Sequence, residues 1–300
     1  MDLFKRLFSR SLRYAGLCLL FIVFFMIGSA AVADLIPKDA PSEPGLVPTS
    51  VGLLIIALVN LLVLAALIRT SRWSGWKLAL SLAAAYYGVT TVLTQIETWY
   101  FLSSITVEPL LLPRLFLMGL PTAFLFVPAA VWVLGKGRSA PEPLAPAPQL
   151  SARQWIWKTA LLGFIYLVLY WTAGYFIAWR NPELRAFYGS PGEALPFFAH
   201  TLETLKNDPM LFPLQFFRGL LWILCALPII LGSQATIGRT ALLTGLFFSV
   251  PQNVGHILAN PLMPVASVRL SHMIETASST FLYGVLVVLF LYRPRRSLGE

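Results

Sequence analysis

The sequence predicts an all-α polytopic integral membrane protein, and three observations carry that expectation. Of its 300 residues 57% are hydrophobic and 12% are charged, about half the charged share of a soluble globular domain. The apolar residues fall in runs long enough to cross a hydrocarbon core of about 30 Å. Lys and Arg, finally, concentrate in alternate connections. Together these exclude a soluble α/β or sandwich enzyme, a disordered tail and a disulfide scaffold.

Apolar windows predict eight helices, at roughly Tyr14–Ile36, Val51–Ile68, Trp76–Leu102, Leu115–Leu134, Trp155–Trp179, Leu214–Leu231, Ala235–Leu258 and His272–Tyr292. With the N-terminus inside, the cytoplasmic segments hold 15 of the 22 Lys and Arg but only Asp2, Glu142 and Glu300 of the 13 acids. This bias predicts a cytoplasmic-membrane protein with both termini in the cytoplasm. It also explains the net charge of +9 without any nucleic-acid partner. The expected partner is the lipid bilayer.

The first helix follows the basic stretch Lys5–Arg13. Its apolar run Leu17–Gly28, with Ala31-Val32-Ala33 before Asp34, resembles a cleavable signal peptide. Retention as an anchor is expected, because the apolar stretch continues to Ile36. Cys18 and Cys225 lie within spans and read as small packing residues.

Residues 136–154 (KGRSAPEPLAPAPQLSARQ) carry four prolines and no apolar run, the composition of a semi-extended cytoplasmic linker. It divides the chain into four helices (1–135) and four more (155–300), with an outer loop at 180–213. Both halves start from basic residues, and each places an Arg, Arg114 or Arg269, at the outer mouth of its fourth helix. An even helix number would make such halves a parallel internal repeat. Within the outer loop, Leu195, Phe198, Leu202 and Leu205 recur at helical spacing, which predicts a short helix lying on the membrane surface.

Polar groups at membrane depth are costly and mark candidate sites. In the third helix Thr90, Thr94 and Glu97 share a face. Glu97 is either a buried functional acid or an emerged residue beside the belt aromatics Trp99 and Tyr100. In the seventh, Ser249, Gln252, Asn253 and His256 follow i, i+3, i+4 and i+7, with Pro251 between them. In the eighth, His272, Glu275, Thr276, Ser279 and Tyr283 form a second stripe. The stripes predict an outward-facing pocket floored by Gln252, Asn253 and His256, walled by His272 and Glu275, and rimmed by Arg114, Arg218 and Arg269. Such a rim suits an anionic solute or lipid headgroup.

The leading expectation is therefore a carrier-, flippase- or receptor-like protein. Two alternatives stand beside it. One is an outer-leaflet enzyme with His256, His272 and Glu275 as metal ligands or acid–base groups. The other is an assembly subunit of a larger membrane complex. No His-Glu-x-x-His, phosphate-cradling Gly loop or Gly-x-Ser-x-Gly motif occurs, and no cofactor is expected.

Overall fold

The computed structural model describes residues 2–36, 42–103, 105–138 and 150–293, with side chains from residue 11 onward. The proline-rich stretch 139–149, Lys38, Arg295 and Arg296 lie outside the described residues. Helices account for the regular structure. They are α1 (Asp2–Ser29), α2 (Thr49–Thr70), α3 (Gly75–Leu102), α4 (Leu111–Val133), α5 (Ala152–Ala178), α6 (Pro182–Phe187), α7 (Phe197–Asn207), α8 (Leu211–Gly232), α9 (Ile237–Asn253) and α10 (Ala266–Leu291). Among the described residues seven of them, all but α6, α7 and α9, are long and apolar enough to cross a membrane. The outer surface of the bundle agrees: Leu54, Leu58 and Leu62 on α2, and Phe217, Leu224 and Leu231 on α8, form exposed stripes. Water would not tolerate apolar surface of that extent. This is the architecture of a multi-pass integral membrane protein.

In the helices α4, α5, α8 and α10 the start lies three to six residues before the predicted apolar window, at Leu111, Ala152, Leu211 and Ala266. Hydropathy stops at a proline or a charge, but a helix need not. Pro113 and Pro213 each stand third in their helix, where a missing N–H costs nothing because the first-turn donors have no intrahelical acceptor. Ser151 starts α5 with a reciprocal capping box to Gln154, which satisfies two such donors.

One end of the bundle is basic. Four helices finish there, and their last carbonyls attract cations. Arg72 donates to Leu231 O from both Nε and Nη2 (3.0 and 2.6 Å), and Lys158 Nζ donates to Phe290 O at 2.6 Å. At this end the α2–α3 and α8–α9 turns pair through an antiparallel bridge between Ser71 and Ser233. The two turns share their local geometry. Each serine follows a 22-residue helix, and its hydroxyl accepts from the N–H two residues on, Trp73 or Ala235, at 3.1 Å. Each next helix starts four residues later, after Ser74 or Thr236. Around this bridge α2 packs on α9, and α8 on α3.

The most extensively packed helix pair is α9 with α10. Their backbones meet at Gly245 and Gly284: a Cβ on Gly284 would stand 2.8 Å from Thr244 O and 2.9 Å from the Gly245 Cα. Small residues at a crossing let two backbones approach in a membrane, where packing rather than water drives association. That approach sets the polar ends of α9 and α10 side by side. One continuous core joins the bundle, with Trp222, Phe247, Phe248 and Tyr283 fully buried. α1 belongs to it: Leu17 and Phe21 are buried, and Phe21 meets Phe126 edge-on at 5.1 Å.

Candidate functional site

Opposite the basic end, α3, α5, α9 and α10 diverge around a cavity of about 780 Å³, roofed by the α5–α8 connection. That volume lies in the range of small-molecule sites, roughly 300–1,000 Å³. Its lining brings together Glu97, Gln252, Asn253, His256, His272 and Glu275. All six were singled out from the sequence.

Local structure explains how they meet. Pro251 removes a backbone donor, and the α-helix of α9 ends two residues later at Asn253. His256 therefore does not continue the α-helical stripe as the i, i+7 spacing supposed. It sits in a 3-10 turn (Val254–Ile257), with Nδ1 3.0 Å from Asn253 O. Asn253 donates to Ser249 O at 2.7 Å and accepts from the Thr276 hydroxyl of α10. Gln252 donates to Phe248 O at 2.9 Å.

On α10, His272 bridges two groups. Its Nδ1 lies 3.3 Å from Glu275 Oε2, and its Nε2 lies 2.7 Å from the Tyr188 hydroxyl. Glu275 stands nine residues into α10, a rise of about 14 Å, and is only 3% exposed. Its other oxygen, Oε1, accepts no hydrogen bond among the described residues. It stands 3.8 Å from where a Cβ on Gly174 would be, and Gly174 also lines the cavity. Gly174 opens a π-helical turn, Gly174–Ala178, an irregularity often found at functional sites.

Glu97 is neither free nor simply emerged. Its Oε1 takes a 2.7 Å bond from Arg218 Nη1. Arg218 is 2% exposed and also donates to Gln215 Oε1 (2.7 Å) and Leu93 O (3.2 Å). Arg218 is thus a buried counter-ion behind the cavity wall, not part of a rim. The other two arginines expected at the rim are elsewhere. Arg269 is 1% exposed and spends its guanidinium on four carbonyls, those of Met263, Pro264, Glu43 and Pro44, at 2.8–2.9 Å. It clamps the α1–α2 connection to the α9–α10 connection. Arg114 pairs with Asp34 at the surface, and this bond holds the Asp34 carboxyl below its usual range. Both arginines stand fourth in their helices, where loop carbonyls and loop acids are within closer reach than the cavity.

Several lining residues escaped the sequence reading. Tyr170, Trp171, Tyr175 and Trp179 of α5 form one wall, and the spacing of four from Trp171 through Trp179 carried a signal for it. His200 of α7, which the sequence reads as an interfacial residue on the surface helix, stacks between Trp171 (5.2 Å, 5°) and Trp179 (5.1 Å, 29°). Burial lowers the His200 imidazole from its usual pKa, with Glu203 opposing. Tyr188 lies beyond α6 in a connection with no periodicity to read. Burial, then Glu97 and Glu275, raise its phenol well above the ordinary value. Arg185, 8% exposed, ties Trp179 O and Gly192 O together and shapes the roof.

Among the described residues no three His, Cys, Asp or Glu side chains stand together as metal ligands. His256, His272 and Glu275 therefore do not converge on one metal position. What fold and site define is a helical membrane protein with a polar, aromatic-walled cavity at one end. No protein-family model, curated protein or solved structure matches the chain.

Proposed function

We propose that this is a carrier- or receptor-like membrane protein that takes a polar solute or lipid headgroup into the cavity from the extracytoplasmic side. The observation that carries the reading is Glu275: a carboxylate buried at membrane depth with one oxygen unbonded toward a ligand-sized space. A group that costly is retained for function more often than for packing. Placing the basic end in the cytoplasm follows the distribution of Lys and Arg and turns the cavity outward. In that orientation α9, 17 residues prolonged by its 3-10 turn, is the eighth crossing. The matched turns at Ser71 and Ser233 support two parallel halves related about an axis through that bridge. The amphipathic α7 then lies in the interface, with Phe198 and Leu202 toward lipid and His200, Glu203 and Thr204 toward the cavity.

Filling the space beneath Glu275 tests the reading. Gly174 has ordinary helical dihedrals, and a Cβ there meets only Glu275 Oε1, so Gly174→Trp is expected to fold. The purified chain is heated with a panel of cationic, neutral and anionic polar solutes. At least one solute is expected to raise the melting temperature of the parent and not that of Gly174→Trp. A panel that shifts neither protein, or both equally, contradicts a ligand site here.

A second reading rests on the Tyr188–His272–Glu275 chain. A carboxylate that orients an imidazole whose far nitrogen meets a hydroxyl is the arrangement of a general base. It supports an acid–base enzyme at the outer leaflet, with His272 as the base.

A further inference from the structure

The lining of the cavity narrows the class of ligand. Five carboxylates face it, those of Glu97, Glu193, Glu203, Asp208 and Glu275, whereas Arg185 is the one Lys or Arg in the lining among the described residues. The Arg185 donors are already committed to Gly192 O and Trp179 O, leaving little for an anion. Arg218, from behind the wall, offsets Glu97. Glu193, Glu203 and Asp208 stand in no ion pair among the described residues. A concave, low-dielectric site lined by one sign of charge concentrates counter-ions of the other, so the cavity favours cations.

Two observations separate an organic cation from a bare metal ion. The space, about 780 Å³, is far larger than an ion needs, and no metal-ligand group of three assembles among the described residues. The carboxylates also face aromatic rings, those of Tyr170, Trp171, Tyr175, Trp179 and Tyr188. Aromatic faces attract alkylated ammonium groups through the ring quadrupole while covering their carbon surface. The unbonded Oε1 of Glu275 places an acceptor oxygen without a partner at the floor, on a side chain more than nine-tenths buried and close to Gly174.

We infer that the cavity binds an organic ammonium ion, its charge against Glu275 Oε1 and its carbon body against the aromatic wall of α5 and Tyr188. This rests on the cavity being a ligand site and adds which ligand. The ammonium group belongs to a free solute or to an amphiphile whose chain leaves beside α7.

The test uses the full chain in nanodiscs, with tryptophan fluorescence as readout because Trp171 and Trp179 line the cavity. The probes are choline, its neutral isostere 3,3-dimethylbutan-1-ol, dodecyltrimethylammonium and butanoate. Choline or dodecyltrimethylammonium is expected to change the emission saturably, and the neutral isostere to bind at least about tenfold more weakly, because it lacks the charge that the carboxylate and the ring faces attract. Glu275→Gln, which keeps the side-chain volume, is expected to weaken the cation about 10- to 100-fold. Stronger binding of dodecyltrimethylammonium than of choline, lost with the carboxylate, points to a membrane amphiphile. The reverse order points to a free solute. Equal binding of choline and its isostere, preferential binding of butanoate, or cation binding unchanged in Glu275→Gln overturns the inference. If the heated panel still shows a ligand that Gly174→Trp excludes, only the ligand class falls. If no probe binds and the panel is silent, both fall.

Discussion

Glu97→Ala is expected to be among the most destabilising single changes in the chain, at about 3 kcal/mol, the lower end for breaking a buried ion pair. The cost comes less from the lost attraction than from Arg218, which is 2% exposed and would keep its charge in a desolvated site. Glu97 is a quarter exposed to the cavity, and Gln215 and Leu93 would still accept from the guanidinium. Those two facts hold the loss at the lower end. Adding Arg218→Met removes the stranded charge and is expected to restore most of the stability. The measurement is the unfolding midpoint in detergent for the two single variants and the double one. A Glu97→Ala protein as stable as the parent, or a double variant no better than the single, would contradict the pair's role.

The second large effect is expected at the α9–α10 crossing. Gly284→Leu puts a side chain where a Cβ alone would lie 2.8 Å from Thr244 O and 2.9 Å from the Gly245 backbone. Backbone cannot step aside as a flexible side chain can. The cost is therefore expected at or above the upper end of overpacking changes, about 3 kcal/mol. Separating the helices also parts Asn253 from Thr276, so loss of ligand binding should accompany loss of stability. Gly238→Ala is the control: nothing lies within 4 Å of its Cβ, and it is expected to be neutral or slightly stabilising. Comparable melting of Gly284→Leu and Gly238→Ala would show that the crossing is looser than described.

The membrane class and the polar stripes were legible in the sequence because both depend on local periodicity. Apolar runs and the 3.6-residue spacing of Gln252, Asn253, His272 and Glu275 need no tertiary information. The expected arginine rim was not legible, for a reason visible at Arg269. A guanidinium carries five donors, and whether they reach a ligand or four loop carbonyls depends on how residues 43–44 fold back over α10. No spacing within α10 encodes that. Tyr188 escaped for the same reason: it reaches His272 across 84 residues from a loop without periodicity. The helix starts at Leu111 and Leu211 were missed on different grounds. Hydropathy treats Pro113 and Pro213 as breaks, whereas backbone hydrogen bonding allows them in a first turn.

The proposed function requires an outward-open ligand cavity between α3, α5, α9 and α10. The most direct test labels Gln252→Cys, in a chain with Cys18 and Cys225 replaced by Ala, using a membrane-impermeant thiol reagent on intact cells. Gln252→Cys is expected to react from outside, and saturating choline to slow the reaction. A cysteine in place of Arg239, near the basic end, should react only after the cells are opened. Labelling of Gln252→Cys only after permeabilisation, or of Arg239→Cys in intact cells, would contradict it.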